Sequence, residues 1–500
     1  MSLEQHIEQI DGYLPLVIAI LSIFALIYIW DVTQKEHSVL RNFPVIGHFR
    51  YILEYLGVYL RQFWFLNDRE ELPFNRAVRS WVYRAAKGVD TMVGFGSTRD
   101  LRPVGTVMFV DAPFPVLGED TAITTPIIIG PYCKYPYETT FLFNISGMSY
   151  GSISKNAVRA LSSGAEIGGC WLNTGEGGVS PYHLESGCDL VAQIGTAKYG
   201  FCDVQGKLSD EALRGIALYP QIKMFELKLS QGAKPGKGGI LPAVKVTPEI
   251  AAVRFIQPYK DSISPNRHPE VSNVQELLDM IEHIRKVTGK PTGFKTVLGS
   301  YEWIEELAVE ILKRGIEKAP DFITIDGSEG GTGAAPLSLV DYMGLPIDES
   351  LPNLIDILVE YGLRDRIKVI ASGKLVTPGE VAWALCVGAD FVVSARGFAF
   401  ALGCIQALKC HTNRCPTGVT SHDPHLMNGL DPTSKSIRVS NYLKSMLYEV
   451  GVICHSCGVK EPRQLTRKHA RIMSESGVTV SLAEIYPDKV PGSKIPEALR

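Results

Sequence analysis

The sequence lacks any long run of one charge. Its formal net charge is −3, with 50 Lys and Arg residues against 53 Asp and Glu residues. Domains that bind nucleic acid concentrate Lys and Arg on one face or along one helix. We therefore expect no nucleic-acid partner. The 500 residues, 45% of them hydrophobic, are enough for one large folded domain with appendages.

The sequence also lacks the cysteine density of a disulfide-stabilised protein. Ten cysteines are scattered through 500 residues, without the density of a small disulfide-stabilised scaffold. Such thiols are typical of a reducing compartment, where they serve as ligands or are buried as small apolar side chains. This usage favours the cytoplasmic side of a membrane for the folded part of the chain.

Two nucleotide-binding signatures are absent. No glycine-rich loop ends in the Lys-Ser/Thr pair of a P-loop, which argues against hydrolysis of nucleoside triphosphates. Gly94-Phe95-Gly96 lacks the third glycine and a convincing preceding strand of a dinucleotide-binding fingerprint. The sequence therefore gives NADPH no site in this chain, and electrons from NADPH would need another subunit.

Charge is missing altogether from residues 13–30, which read YLPLVIAILSIFALIYIW. At about 1.5 Å per residue, a helix of this length crosses a hydrocarbon core. The preceding residues carry three acidic side chains and no Lys or Arg, and no small-residue cleavage site follows, so a signal peptide fits poorly. Basic residues begin at Lys35, which places the following domain inside. We predict a single-pass membrane anchor over residues 1–36, with the catalytic domain on the cytoplasmic side.

A second aromatic segment covers residues 51–66 and reads YILEYLGVYLRQFWFL. Glu54 and Arg61 interrupt it, so it does not predict a second span. It is typical either of an amphipathic helix lying in the membrane interface or of a helix packed on the barrel or on another subunit. The sequence leaves both interpretations open.

Beyond about residue 140, short apolar runs alternate with longer amphipathic segments, as in repeated βα units. Helical patterns cover residues 272–287, opening with a capping box of Ser272 and Gln275, and residues 301–314. Eight strands with intervening helices predict an α/β fold, a (β/α)₈ TIM barrel preceded by an N-terminal transmembrane helix. The eight runs span residues 141–146, 170–174, 190–194, 224–230, 292–298, 321–327, 367–373 and 390–396.

Glycine-rich loops follow these runs, at the end of a barrel where active sites lie. Residues 326–336 read DGSEGGTGAAP, and glycines let backbone N–H groups approach a phosphate closely. Ser372-Gly373-Lys374 and Ala395-Arg396-Gly397 follow the seventh and eighth runs, the usual phosphate-binding corner of this fold. The alternative is that these glycines only form tight turns.

Two lysines fall inside predicted strands. Lys228 lies in the fourth run and Lys295 in the fifth, and burying an ammonium group is costly without an anionic partner. Each is expected to face a phosphate, a carboxylate or a reduced flavin. The alternative is a side chain that extends to solvent from the strand end.

Cysteines cluster once in a ligand-like spacing. Cys404, Cys410 and Cys415 are spaced C-x5-C-x4-C, and three thiolates without a fourth suit a three-iron iron-sulfur cluster better than tetrahedral zinc. Two alternatives stay open for these cysteines. One is a zinc site that includes His411, and the other is a purely structural role. Cys454 and Cys457 have a C-x2-C spacing but stand alone, and a buried pair is the preferred interpretation.

Long motifs in one order closely resemble the FMN-binding domain of glutamate synthase, and in particular its membrane-anchored, single-domain relatives. The resemblance covers residues 110–430 through MSYGSIS, NTGEGG, QGAKPGKGGILP, SPNRHPE, DGSEGGTGAAPLSL and GCIQALKCHTNRCPTGV. We divide the chain accordingly into an anchor (1–36), a membrane-proximal region (37–109), the barrel with its iron-sulfur segment (110–430) and a C-terminal extension (431–500).

The resemblance implies an FMN-dependent oxidoreductase acting on CH–NH2 donors. Electrons would pass through a 3Fe-4S cluster to FMN, which reduces 2-iminoglutarate, formed from 2-oxoglutarate and ammonia, to L-glutamate. It implies catalytic roles for Lys228, Lys295 and Glu176, substrate binding by Lys228, Lys234 and Arg254, and cluster ligation by Cys404, Cys410 and Cys415. The implied FMN contacts are Ser146, Gly147, Met148, Ser149, Gly175, Lys295, Gly330, Gly331, Gly333, Ser372, Gly373, Ala395 and Arg396.

Two departures limit the resemblance. Ile240 stands where relatives that use 2-oxoglutarate carry a glutamine, and loss of an amide that binds substrate changes specificity strongly. No N-terminal-cysteine glutaminase precedes the barrel, so ammonia is expected free or from a separate glutaminase subunit. The electron donor is expected to be a ferredoxin-like protein or another reductase. Alternative functions are an amine or amino-acid oxidoreductase with another substrate, and a membrane-bound electron-transfer subunit.

Overall fold

A computed structural model of the protein describes residues 3–499. The chain divides into two compact units, the first ending at Arg76 and the second beginning at Ala77. The division falls inside the predicted membrane-proximal region. Met1 and Ser2, which the predicted anchor includes, lie outside the described residues.

The first unit is helical. Its helices are Leu3–Thr33, Ser38–Asn42 and Gly47–Leu60, and a π-helical turn, Arg61–Phe65, follows directly. Among the described residues, Tyr13–Thr33 is the one stretch long and apolar enough to cross a membrane, with a mean hydropathy of 2.4 and no buried part. The predicted apolar N-terminal helix is thus confirmed, whereas its crossing and the side of the membrane stay predictions.

The second unit contains a closed barrel of eight parallel strands. Its order is β5-β6-β7-β8-β1-β2-β3-β4, where β4 pairs with β5. Each predicted apolar run overlaps one strand, because parallel strands covered on both faces are apolar throughout. The (β/α)₈ barrel is confirmed. The strands are β1 (Phe143–Ile145), β2 (Leu172–Asn173), β3 (Leu190–Ile194), β4 (Ile222–Lys228), β5 (Thr292–Thr296), β6 (Phe322–Asp326), β7 (Lys368–Ser372) and β8 (Phe391–Ser394).

Helices follow the strands around the barrel. The helix Val274–Thr288 begins at Asn273, whose side chain accepts a hydrogen bond from the Glu276 N–H, and ends at Gly289 in the left-handed conformation. The predicted cap at Ser272 is therefore wrong by one residue, since Asn273 takes that place and Glu276 accepts instead from the Ser272 N–H. The other principal helices of this unit are Arg76–Lys87, Lys155–Gly168, Asp210–Ala217, Pro248–Arg254, Glu302–Arg314, Ile347–Glu360, Pro378–Val387, Arg396–Leu402 and Pro432–Ser456.

Short elements complete the unit. Two-stranded sheets pair Ile127–Ile129 with Tyr137–Thr139 and Ile240–Leu241 with Ser262–Ile263, and a third sheet joins Val107–Phe109, Ala470–Met473 and Thr479–Ser481. The short helices and 3₁₀ turns are Gly118–Asp120, Pro181–Leu184, Ala243–Lys245, Ile316–Lys318, Leu337–Val340, Pro424–Met427, Pro462–Gln464, Arg467–His469, Leu482–Ile485 and Glu497–Leu499.

The hairpin of Ile127–Ile129 and Tyr137–Thr139 closes the barrel at the amino ends of its strands. Ile129 and Tyr137 join one buried cluster with Trp171, Phe322 and Phe391, all near strand starts. Burial of large aromatic side chains dominates the stability of such a core. The amino-terminal end is thereby filled, which leaves the opposite end for a ligand.

The C-terminal extension packs back onto the first helix of the barrel. A Cβ atom at Gly164 would lie 2.5 Å from Val439, and one at Gly168 would lie 2.5 Å from Leu443. These distances are too short for any larger residue, so the two glycines allow the helix Pro432–Ser456 to approach the helix Lys155–Gly168 closely. The extension is an integral part of the barrel wall.

Candidate active site

An open cleft lies at the carboxyl ends of the strands, where the sequence predicts the active site. It encloses about 500 Å³, counting space open to solvent, which suits a small molecule or cofactor. Nine of the thirteen predicted FMN contacts line it, although their binding roles stay predictions. They are Ser146, Gly147, Lys295, Gly330, Gly331, Ser372, Gly373, Ala395 and Arg396.

Glycines form the corner of the cleft after β6, β7 and β8. A Cβ atom at Gly331 would lie 2.9 Å from the Arg396 side chain, and Gly373 has a φ of +127°. Arg396 donates to the Glu329 carbonyl at 2.5 Å, and burial lowers its pKa to about 10. An anion beside this guanidinium would offset the cost of its burial. Backbone without side chains and one half-buried cation fit a phosphate group here.

Asp326, at the end of β6, is a buried carboxylate on the wall of the cleft. Its oxygens accept from the Gly232 N–H at 2.9 Å and from the Ser372 hydroxyl at 2.8 Å. The Lys295 ammonium lies 3.4 Å away. Burial alone would raise the pKa of Asp326, but Lys295 and these hydrogen bonds lower it below its ordinary value. Lys295 thus has the anionic partner that its position in the fifth strand predicts.

A second carboxylate lies deeper, inside the barrel below the cleft. Glu226 on β4 is 2% exposed and accepts from the Asn173 and Gln193 amides at 2.8 and 2.7 Å and from the Thr324 hydroxyl at 2.6 Å. Because a carboxylate only accepts, both amides must turn their NH2 groups towards it. The carbonyl oxygen of Gln193, which lines the cleft, is left as an acceptor.

Lys228, on another wall of the cleft, forms an ion pair with Glu176. The Lys228 ammonium lies 2.8 Å from a Glu176 oxygen and also donates to the Gln231 amide oxygen. Burial alone would raise the pKa of Glu176, but Lys228 and then Lys234 lower it. Burial, and next Lys228, lower the pKa of Lys234 to about 8. Two cations and one ionised carboxylate therefore meet here, while their roles in catalysis and substrate binding stay predictions.

Arg254 lies behind this group and does not line the cleft. It is 4% exposed, donates to the Tyr150 carbonyl at 3.1 Å and lies over the Tyr199 ring at 5.1 Å. Its charge contributes to the low pKa of Glu176. The structure therefore places Arg254 next to Glu176 and away from the cleft wall, so its predicted contact with substrate stays a prediction.

Four predicted FMN contacts also lie off the cleft lining. Ser149 is buried at 8% exposure, and a Cβ atom at Gly175 would meet its backbone nitrogen at 2.5 Å. Gly333 is exposed, with open space where a Cβ atom would be. Met148 is half-buried. Ser149 and Gly175 thus support the turn beside the cleft, while contacts by Met148 and Gly333 stay predictions.

The three predicted ligand thiols lie near one another beyond β8. Burial, and to a smaller extent Cys410 and Cys415, raise the pKa of Cys404 to about 12, against the lowering effect of a hydrogen bond from the Gln406 N–H. The Lys245 ammonium is buried beside Cys410 and Cys415, and burial lowers its pKa to about 8. Among the described residues, no three His, Cys, Asp or Glu side chains surround a single metal ion. Three adjacent thiols with a buried cation fit an anionic cluster that spans more space than one ion.

The other spaced pair, Cys454 and Cys457, is buried, and neither residue forms a disulfide. The Cys454 thiol donates to the Val459 carbonyl at 3.1 Å. This packing agrees with the preferred interpretation of a buried pair.

Sequence reasoning missed several polar groups of the site. Gln193, Glu226 and Asp326 each interrupt or end a predicted apolar run. A polar residue within a strand that is otherwise buried on both faces indicates a partner inside the barrel, and that signal would have identified all three. The lining also includes Lys374 and Ser394, from the predicted phosphate-binding corner, and three residues that were not predicted, namely Gln231, Val376 and Val393.

Comparison with known proteins gives relatives of one kind. Residues 121–460 match the family described as the conserved region in glutamate synthase. The glutamate synthase large subunit-like protein YerD of Bacillus subtilis is 42% identical, over 92% of this chain and 94% of that protein. An archaeal glutamate synthase [NADPH] of Methanocaldococcus jannaschii is 31% identical, over 66% of this chain and 61% of that protein.

Solved structures resemble the fold more distantly. The flavin-binding domain of baker's yeast flavocytochrome b2 aligns with a TM-score of 0.45 and 14% identity, covering 79% of this chain and 78% of that one. This similarity is too weak to indicate a ligand. The family match and the relatives over most of the chain are sufficient, and the chain belongs to the glutamate synthase family.

Proposed function

We propose that the chain is an FMN-dependent oxidoreductase that makes L-glutamate by reductive amination of 2-oxoglutarate through 2-iminoglutarate. The observation that carries the proposal is the meeting of Lys228, Lys234 and Glu176 beside a glycine-lined cleft that ends at Arg396. Dicarboxylate recognition needs fixed cations, and a phosphate needs an open backbone with a cation.

The residues of the cleft fit FMN. The glycine corner and Arg396 would hold the phosphate, and the Gln193 carbonyl and the Lys295 ammonium would face the ring. When bound, FMN supplies the hydride and an iron-sulfur cluster supplies the electrons that reduce the flavin. A fixed cation such as Lys295 stabilises negative charge that develops at the ring edge.

The substrate would lie against the cations opposite. Lys228 and Lys234 bind the two carboxylates of the oxodiacid, and Glu176 holds the nitrogen of ammonia or the imine beside them. Glu176 serves this purpose in its ionised form, which Lys228 favours by lowering its pKa below the ordinary value. Ammonia is free or comes from a separate glutaminase subunit.

The thiols of Cys404, Cys410 and Cys415 would ligate a 3Fe-4S cluster. Their segment begins just beyond the helix that follows β8 and its phosphate corner, so electrons arriving there would have a short path to FMN. A ferredoxin-like protein or another reductase is the donor.

The N-terminal helix would anchor the enzyme in a single pass, with the barrel on the cytoplasmic side. The apolar stretch Tyr13–Thr33 and the basic residues that follow it support this placement. Deleting residues 1–36 is expected to shift the protein from the membrane to the soluble fraction, unless residues 51–66 also bind the interface. A truncated protein that remains wholly bound would show that another segment attaches the chain.

The cofactor assignment is tested by mass spectrometry of the extracted ligand. Non-covalent FMN is expected, and FAD, or folded protein without flavin, would contradict the site. Turnover is then measured with 2-oxoglutarate, ammonium and an artificial reductant, and glutamate is the expected product.

A pair of variants on β4 tests the substrate site. Lys228→Met is expected to raise KM for 2-oxoglutarate at least about tenfold, since a hydrogen bond to a charged group contributes roughly 1.5–3 kcal/mol. Lys223→Met is the matched control, because Lys223 lies on the same strand and pairs with Asp189 at the other end of the barrel. Equal KM values for the two variants would contradict the placement of the oxodiacid.

Ile240 favours one alternative, an FMN and iron-sulfur oxidoreductase with a different amine or amino-acid substrate. Its neighbour Gly239 abuts Glu176, because a Cβ atom there would lie 2.6 Å from the carboxylate. The apolar side chain of Ile240 therefore comes directly after the residue that abuts Glu176, near the place where substrate would bind. Reduction of another oxoacid with ammonium in preference to 2-oxoglutarate would support this alternative. Electron transfer without amination would indicate an electron-transfer subunit.

A further inference from the structure

The helix Gly47–Leu60 presents an uncovered apolar face. Phe49, Ile52, Leu53 and Leu56 follow the i, i+3, i+4, i+7 spacing of one helix face and are 64, 52, 61 and 40% exposed. Glu54 lies on the opposite side of the helix. Contiguous apolar surface of this kind marks an interaction site on a protein.

Hydrogen bonds hold the start of this helix to the end of the apolar N-terminal helix. The buried Asp31 carboxylate accepts from the Val45 N–H at 2.8 Å, and the His48 ring lies 2.9 Å from it. The rings of His37 and Tyr51 also meet edge to face at 5.4 Å. The first turn of the helix Gly47–Leu60 therefore lies at the level where the apolar stretch Tyr13–Thr33 ends.

That level is the membrane–water interface if Tyr13–Thr33 crosses the bilayer, as the proposed function has it. Arg50 lies on the same side of the helix as Glu54, and Arg61 follows its last residue; both are exposed and would meet phosphate head groups. Trp64 and Phe65 follow directly and are 73 and 71% exposed, and aromatic residues of this kind concentrate at membrane interfaces. Basic residues on one face and aromatic and aliphatic residues on the other are typical of a helix that lies in the interface.

We propose that the helix Gly47–Leu60 lies in the head-group region of the same membrane, with Phe49, Ile52, Leu53 and Leu56 facing the acyl chains. The continuity with the apolar helix through Asp31 favours lipid over a second copy of the chain. The chain that leads to the catalytic unit would then depart from the membrane after the helix Gly47–Leu60, and not at the end of the membrane-spanning helix.

Photocrosslinking of the full-length chain in phosphatidylcholine–phosphatidylglycerol vesicles tests the proposal. p-Benzoylphenylalanine replaces Leu53 on the apolar face, Glu54 on the polar face as the matched control, or Leu21 in the span. All three side chains are exposed, so the probe disturbs no packing, and an unchanged flavin content verifies folding. Lipid adducts are expected at positions 21 and 53, and at least tenfold fewer at position 54.

The outcomes separate the interfacial helix from the anchor. Lipid adducts at position 21 with none at position 53, or adducts of position 53 with a second copy of the chain, would overturn the interfacial helix and leave the anchor intact. Equal lipid adducts at positions 53 and 54 would overturn the proposed orientation. An absence of lipid adducts at position 21 would overturn the anchor and the interfacial helix together.

Discussion

Replacing Glu226 by leucine is expected to lower the free energy of unfolding of the barrel. The carboxylate is the common acceptor for the Asn173 and Gln193 amides and the Thr324 hydroxyl. Leucine removes both acceptor oxygens, and with them all three hydrogen bonds, in a site that is 2% exposed. The hydroxyl can rotate to another partner, but the two amides cannot.

Each buried donor left without a partner costs about 1–3 kcal/mol. The two amides together predict a loss of roughly 2–6 kcal/mol, a large share of the roughly 5–15 kcal/mol that stabilises a native protein. At about 1 °C per kcal/mol for a chain of this size, the midpoint of thermal unfolding should fall by roughly 2–6 °C.

Glu226→Gln separates the acceptor from the charge. Both amides bond to one carboxylate oxygen, and Thr324 bonds to the other. A glutamine can keep its carbonyl oxygen towards the amides and donate its NH2 group to Thr324, whose hydroxyl then accepts. This variant should lose less than about 1 kcal/mol.

The assay is thermal unfolding of the three proteins at one scan rate, followed by far-ultraviolet circular dichroism. A leucine variant that unfolds within 1 °C of the wild type would refute the hydrogen-bond argument. A glutamine variant as unstable as the leucine variant would show that the buried charge, and not the acceptor, matters.

Three further predictions concern the site. Because burial lowers the pKa of Lys234 to about 8, its ammonium is lost as the pH rises through that value, so KM for 2-oxoglutarate should increase above it; Lys234→Arg should keep KM constant there, and the same increase in both proteins would contradict this. Cys410→Ser should abolish the electron paramagnetic resonance signal of the cluster and donor-linked turnover, but the variant should retain FMN. If wild-type protein purified without oxygen contains zinc or no iron, the proposed path of electrons through a cluster is contradicted. Gly147→Ala should reduce FMN content about tenfold, or 1.4 kcal/mol, since its Cβ atom would lie 2.8 Å from the Asn173 amide oxygen; Gly215→Ala, which meets open space on a surface helix, is the control, and equal FMN contents would refute the steric argument.

The sequence is sufficient to predict the barrel because its strands are buried on both faces. Every strand from β1 to β8 appears as an apolar run, and only the ends differ, as in residues 141–146 against Phe143–Ile145. Local polar groups determine where an element ends. The helix Val274–Thr288, for example, is capped by Asn273 and not by the predicted Ser272. Backbone and side-chain acceptors compete within one residue at a helix start.

Site residues that directly follow a strand can be predicted from the sequence. Site residues that meet only when the barrel closes cannot. The glycine corner follows β6 to β8 directly, so the loops identify it. Glu226 and Gln193 meet only because β3 and β4 are neighbours whose inward side chains share one interior. Arg254 is the last residue of the helix Pro248–Arg254 and donates to the Tyr150 carbonyl, 104 residues earlier in the chain, and nothing in its local sequence shows that it lies behind Glu176.

Closure of the barrel has a consequence for synthesis of the chain. β1 pairs with β8, with Phe143 beside Val392, so the first strand has no second neighbour until the last one is made. At about 5–20 residues per second, the ribosome leaves the first βα unit waiting roughly 10–50 s. The face of the helix Lys155–Gly168 that carries its two closely packed glycines stays uncovered for longer still, until the helix Pro432–Ser456 leaves the exit tunnel. A nascent chain of this protein therefore exposes the unpaired edge of β1 and the uncovered face of the first helix for most of its translation. Binding of chaperones to ribosomes stalled before Phe391 should exceed binding to ribosomes stalled after Ser456.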